Sequence, residues 1–251
     1  MKYKSYPPQL WEHIRSCTQS SLQEFGAKKL IAAFDADGTL WDTDFGENFF
    51  QFQIDRKLVE MPPNPWQYYW DLKGETGDPR PGFLWLAQIC KGHPLIEVQG
   101  WANESFASQS SDLIFPEQKK VIRYFLDAGI TVAIVTASVA WAIEPGARLL
   151  GVPTQNVIGV RTEVRNGMVT DIQQGPVTYR EGKVSGLKHY FPEHHCFFAS
   201  GNTTGDLELL TYSKGIRLAV TATVPGNRVH ESEMELQRHA HQHQWEQHSF
   251  I

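Results

Sequence analysis

The chain has 251 residues, 41% of them hydrophobic and 20% charged, with 23 Lys and Arg against 28 Asp and Glu for a formal charge of -5. Length and hydrophobic content support one globular domain carrying an insertion and argue against global disorder. No basic excess marks a surface for nucleic acid or anionic membrane, and no apolar run approaches the ~20 residues of a membrane span.

Apolar positions at Leu10, Trp11, Ile14, Cys17, Leu22 and Phe25 predict a helix over 9–25. Leu30-Ile31-Ala32-Ala33-Phe34 then reads as a buried strand running into the loop Asp35-Ala36-Asp37-Gly38-Thr39-Leu40. From Trp41 to about Ser111 the composition turns aromatic, and prolines at 62, 63, 65, 79 and 81 divide it into short helices. The expectation is a helical insertion with its own small core. Beyond Phe115, a helix from Pro116, a strand over 130–135, a helix near 141–150 and a strand over 157–160 follow. Two short β segments are expected around the Asn166-Gly167 turn. A helix over 183–190, a strand over 196–199, a helix start at 206–210 and a strand over 216–220 complete the alternation. Strands alternating with helices predict an α/β fold with a parallel sheet and right-handed crossovers.

The tail over 238–248 is rich in histidine. It reads as a polar, solvated helix, with His241 and His243 as the alternative, a metal pair. Cys17, Cys90 and Cys196 form no CxxC pair and no disulfide framework. The opening MKYKSYPPQLWEHI lacks an apolar leader segment, so a cytoplasmic protein is expected.

Four segments carry chemistry. Two carboxylates, Asp35 and Asp37, sit where ligands bind in an open parallel sheet, beyond the carboxyl end of a strand. One can attack an electrophile and hold a cation while the other handles protons. Thr136, opening the segment Thr136-Ala137-Ser138, places a hydroxyl at the end of a second strand, suited to a phosphate oxygen. Lys183 lies at a helix start, poorly placed for the helix dipole unless an anion faces it. Ser200-Gly201-Asn202-Thr203-Thr204-Gly205-Asp206 is a further loop of oxygen donors after a strand. Taken singly, each also reads as a turn, a cap or a surface lysine.

In this order the four segments resemble the motifs of the haloacid dehalogenase-like superfamily, over roughly residues 28–42 and 115–225. The resemblance implies a Rossmann-like core over 1–41 and 112–251, with a helical C1 cap over 42–111 as in phosphoserine phosphatase-like members. It implies that Asp35 is the nucleophile that becomes an aspartyl-phosphate and Asp37 the general acid/base. Thr136, Ala137 and Lys183 would then bind phosphate, and Asp35, Asp37, Asn202 and Asp206 would form the site of Mg2+. Asn202 departs from the commoner aspartate, so weaker metal binding is expected.

Asp44 stands where an acidic residue contacts the substrate amino group in phosphoserine phosphatases, with Glu47 three residues on as a further candidate, and the run over 44–50 also resembles phosphorylcholine phosphatases. They equally fit a capping box, an N-cap acid with Glu three residues on. The expected activity is hydrolysis of a small phosphorylated metabolite, amine- or choline-bearing if the cap's aromatic rings hold a cation. Phosphoserine hydrolysis, phosphotransfer to an alcohol and a non-catalytic binding role on the same scaffold are the alternatives.

Overall fold

The computed structural model describes residues 2–74 and 77–251. In chain order the elements are α1 (Pro8–Phe25), β1 (Leu30–Phe34), α2 (Phe45–Arg56), α3 (Pro65–Gly74), α4 (Arg80–Gln88) and α5 (Leu95–Ala107). There follow α6 (Pro116–Asp127), β2 (Thr131–Val139), α7 (Ala140–Leu149), β3 (Val157–Arg165), β4 (Met168–Gln174) and α8 (Glu181–Tyr190). The chain ends with β5 (His195–Gly201), α9 (Leu207–Tyr212), β6 (Ile216–Thr221), α10 (His230–Gln242) and β7 (Glu246–Ser249). The strands form one sheet in the order β4-β3-β2-β1-β5-β6-β7, parallel except for the β3–β4 pair. This is the expected Rossmann-like α/β arrangement.

The period-two alternation of β1 explains the layering. Leu30, Ala32 and Phe34 face a cluster with Ile14 of α1, Phe125 of α6 and Ile143 of α7. Ile31 and Ala33 face the opposite cluster with Leu187 of α8, Leu209 of α9 and Leu236 of α10. Burial on both faces accounts for the unbroken apolar run. β1 is central, and the chain winds from it to β2 on one side and β5 on the other. The carboxyl ends of β1 and β5 therefore flank a switch point in the topology, the usual place for a ligand crevice.

Three expectations change. β3 runs unbroken to Arg165 and pairs antiparallel with β4. Asn166 and Gly167 both take positive φ in the connecting turn, as a two-residue hairpin requires. β7 was not foreseen, because Glu246-Gln247-His248-Ser249 has no apolar residue and pairs with β6 through its backbone. The insertion shares its core with the rest of the chain: Phe49, Phe50, Tyr69, Leu86 and Val98 pack with Val139, Val160 and Val169 of the sheet and Trp141 of α7.

In the histidine-rich tail, His239 and His243 stack with ring centroids 4.0 Å apart, and His241 is exposed. No helix among the described residues is long and apolar enough to cross a membrane.

Candidate active site

Asp35 directly follows β1, and its N–H donates to the Ser200 carbonyl oxygen of β5 at 2.9 Å, fastening the two strand ends together. Gly38 has φ +76°, and a Cβ there would lie 2.1 Å from Asn202 Nδ2. Both the backbone conformation and the close approach demand glycine. The Gly38 N–H donates to the Trp41 carbonyl oxygen at 2.9 Å, folding the loop back on itself. That fold lets the Trp41 indole N–H reach Asp37 Oδ1 at 2.7 Å.

Asp37 accepts two more hydrogen bonds, from the Phe45 N–H at 2.9 Å and from Ser138 Oγ at 2.6 Å. Burial pushes its carboxyl up to about 7, with the Asp44 charge adding and the three donors opposing. The β2–β3 register shifts between Val135 and Val139, so Thr136–Ser138 leave the ladder and line the cavity. Thr136 Oγ1 accepts from the Ser138 N–H at 3.1 Å, and the Thr136 carbonyl accepts from the Thr178 hydroxyl.

Lys183, in the first turn of α8, is buried at 3% exposure. Its ammonium donates to Asp35 Oδ1 and Asp206 Oδ1, each at 2.5 Å. Arg180, at the cap of α8, adopts φ 51°, ψ -122°, a strained conformation for a non-glycine residue. Its N–H donates to the Gly205 carbonyl at 3.2 Å, tying the start of α8 to the loop after β5. Burial pulls the Lys183 ammonium down, but the Asp206 and Asp35 carboxylates outweigh it and hold it above its ordinary value. Asp35 is raised, by burial first and by Asp206 second, against the pull of Lys183. Lys183 therefore stays charged at neutral pH, with two carboxylates sharing its proton donors.

The structure commits Asp206 differently from the sequence expectation. Its second oxygen accepts from the Asn202 N–H at 3.1 Å and the Thr203 N–H at 3.0 Å. Both oxygens are thus engaged in holding Lys183 and the loop, whereas Asp35 gives Oδ1 to Lys183 and turns Oδ2 toward Thr39, which also meets Asn202. The remaining donors are the Asp35 carboxylate, the Asp37 carbonyl and the Asn202 amide oxygen. Thr39 Oγ1 lies 3.1 Å from Asp35 Oδ2 and 3.3 Å from Asn202 Oδ1, so these two oxygens converge on one point. An all-oxygen set with one carboxylate suits a hard cation such as Mg2+ that keeps several waters.

These groups line a cavity of about 330 Å³ whose outer end is built by the insertion and the β6–α10 loop. Asp44 is the N-cap of α2, its Oδ1 accepting from the Glu47 N–H at 2.7 Å. Burial, with the Glu47 charge adding, pushes its carboxyl up to about 6. Glu47 pairs with Arg228 at 2.8 Å, and Arg228 lies over the Trp70 ring at 4.6 Å. Lys73 sits over Tyr69, Trp70 and Phe83 at 4.7–4.8 Å from their centroids. The cap rings expected to hold a substrate cation are therefore occupied by cations of the chain itself.

Sequence reading missed Thr39, Ser138, Lys73, Arg228 and Glu233. Ser138 stood in the quoted Thr136-Ala137-Ser138 segment and could have been found as a second hydroxyl leaving the strand. Arg228 and Glu233 lie in ordinary polar stretches and Lys73 among the aromatic residues of the insertion, none with a local signal.

The model of the haloacid dehalogenase-like hydrolase family matches residues 32–211, and the chain belongs to that family. It is a hydrolase by that membership, and the match spans all four loops described above. No curated protein matches the chain significantly in sequence. Among solved structures, a protein of unknown function from Bordetella pertussis Tohama I is 22% identical with TM-score 0.69, over 87% of this chain and 98% of the other. A functionally unknown protein from Anaerococcus prevotii is 13% identical with TM-score 0.72, over 100% and 97% of the two chains. A phosphoserine phosphohydrolase-like protein from Francisella tularensis is 17% identical with TM-score 0.54, over 77% and 87%. At these identities the likeness is one of fold.

Proposed function

We propose that the chain is a Mg2+-dependent phosphomonoesterase of small phosphorylated metabolites, acting by double displacement through Asp35, with the insertion over 42–111 as its cap. The observation that carries this reading is the meeting, in one cavity, of a carboxylate at a strand end, a buried ammonium on that carboxylate and a second carboxyl raised to about 7. Its three free cysteines suit a reducing cytoplasm.

In this reading an Asp35 oxygen attacks phosphorus and the bridging oxygen leaves. Asp37 in its acid form passes a proton to that oxygen, then as a base takes one from the water that hydrolyses the aspartyl-phosphate. Lys183 and the Thr136–Ala137 segment hold the phosphate oxygens. Mg2+, when bound by Asp35, the Asp37 carbonyl and Asn202, would offset the charge of the phosphate dianion. Release of phosphate from p-nitrophenyl phosphate, with and without Mg2+, tests the reading. A folded protein inert under both conditions and on alkyl phosphates would instead be a binding protein on this scaffold.

The role of Asp37 has its own signature. Asp37→Asn should cost an alkyl phosphate more than p-nitrophenyl phosphate, because nitrophenolate leaves without help from an acid. The expected difference is on the order of 10²-fold in kcat. The same variant should stabilise the metal-free protein. The folded carboxyl titrates near 7 and the unfolded one near ~3.9, so its ionisation costs stability as pH rises between these values. Asparagine removes that cost while its amide can still meet Trp41, Phe45 and Ser138. Melting curves should show a gain on the order of 1–3 kcal/mol at pH 8 that vanishes by pH 4.

The charges at the outer end favour one substrate class over another. A choline-type head group needs free ring faces, and Lys73 and Arg228 hold those faces. Two acids, Asp44 and Glu47, stand among two bases, Lys73 and Arg228, a pattern that suits a zwitterionic phosphomonoester such as phosphoserine. Comparison of phosphoserine, phosphoethanolamine, phosphocholine and 3-phosphoglycerate should place phosphoserine first in kcat/KM. Lys73→Met should raise the KM for phosphoserine about 10-fold and leave phosphoethanolamine unchanged. A first rank for phosphocholine would restore the cationic reading.

A further inference from the structure

Glu233, on α10, is wholly buried, far in sequence from the four catalytic loops, and lies against the loop that carries Asn202. Its Oε2 accepts from the hydroxyls of Thr221 and Thr223 and from the N–H groups of Ala222 and Thr223, the last two at 3.3 and 3.2 Å. Those contacts fix the carboxylate to the end of β6. Its Oε1 accepts from Asn202 Nδ2 at 2.9 Å.

An ionised carboxylate can only accept, so the amide must turn its NH2 toward Glu233. The amide oxygen is then forced to the opposite side, where it meets Thr39 Oγ1 beside Asp35. The donor set that would face a cation has a neutral amide at 202, and a full negative charge stands one hydrogen bond behind it. That hydrogen bond also polarises the amide and enriches its oxygen.

Resting on the magnesium reading above, we propose that Glu233 is a positioning residue that aims the Asn202 oxygen at the metal and supplies, from behind, the negative charge that this position lacks. The pair then works as a unit. Asn202→Asp alone does not simply add a charged ligand, because it sets two carboxylates against each other across a 2.9 Å contact. Asn202→Asp together with Glu233→Gln rebuilds the same hydrogen bond with donor and acceptor exchanged. The introduced glutamine would donate from its amide to one oxygen of the introduced aspartate, whose other oxygen would face the metal.

The experiment compares wild type, Glu233→Gln, Asn202→Asp and the double variant. Mg2+ binding is measured by calorimetry without substrate, beside the Mg2+ dependence of p-nitrophenyl phosphate hydrolysis and a melting curve for each protein. Glu233→Gln should weaken Mg2+ at least about 10-fold, because glutamine, its oxygen held by the donors at the end of β6, turns its NH2 to residue 202 and draws the amide oxygen away from the metal. Its kcat at saturating Mg2+ should change far less. The double variant should bind Mg2+ at least as tightly as wild type and more tightly than Asn202→Asp. A folded Glu233→Gln with unchanged Mg2+ affinity overturns the proposal, as do effects of the two substitutions that simply add. Should Glu233→Gln fail to fold, the double variant against Asn202→Asp decides, and no gain in affinity overturns it. Wild type that binds no Mg2+ overturns the magnesium reading and this proposal with it, whereas failure only in the variants leaves that reading standing.

Discussion

Asp35→Asn is expected to abolish turnover, with a loss of at least about 10⁴-fold in kcat on any phosphomonoester. An amide nitrogen or oxygen is a poor nucleophile toward phosphorus, and no other carboxylate of the site can take over. Asp37 is held by three donors in its own niche, and Asp206 is bound to Lys183 and two loop N–H groups. The variant should still fold, since the backbone bond from residue 35 to Ser200 remains and an amide oxygen can accept from Lys183. It should also lose capture of beryllium fluoride, which mimics an acyl-phosphate only on a carboxylate oxygen. Fluorine NMR or a fluoride-dependent rise in melting temperature reads that capture in wild type. Near wild-type hydrolysis by Asp35→Asn would exclude the covalent route.

Lys183→Met should damage both stability and catalysis. Among the described residues the lysine is the one cation in direct contact with Asp35 and Asp206, and all three side chains are within 9% of full burial. Removing it leaves two buried carboxylates facing each other, at an expected cost of ~3–5 kcal/mol at neutral pH. The pH dependence identifies the cause. Without the ammonium the folded-state value of Asp35, already raised by burial, rises further above its unfolded one. The folded protein then binds the extra proton at low pH and must give it up as pH rises. Denaturant unfolding should accordingly show a small deficit near pH 5 that widens to the full one by pH 8. A deficit independent of pH would mean that packing of the lysine stem, not its charge, was lost. In activity the same variant should fall by about 10³-fold, because nothing then balances the attacking carboxylate and the phosphate dianion.

The aspartate pair shows why the position of the candidate site was legible in the chain. Asp35 and Asp37 belong to a short loop whose position follows from a five-residue apolar strand, so sequence order alone puts them beyond a sheet edge. Thr136 and Lys183 were found in the same way, each next to a strand or helix end that hydrophobic periodicity predicts. The strands themselves were readable because β1, β2, β5 and β6 are buried on both faces and so are largely apolar. β7, held by backbone pairing at the sheet edge, carried no such mark.

What each group does at its station was a matter of tertiary contact. Asp206 shares the motif that suggested a metal ligand, yet Lys183 arrives from α8 and two loop N–H groups turn in on it, consuming its oxygens. Asp44 and Glu47 fit both capping and substrate contact by spacing. The α2 N-terminus claims an oxygen of Asp44, and Arg228, 181 positions further along the chain, claims Glu47. Glu233 sits in a polar helix, and only the closing of α10 onto β6 brings its carboxylate to Asn202. Sequence determined the local part, which residues end which strands and what charges they carry, because strand burial and turn chemistry act over a few residues. The tertiary structure decided the pairing of those charges, since electrostatics and hydrogen bonds in a buried site depend on distances in space that chain separation does not encode.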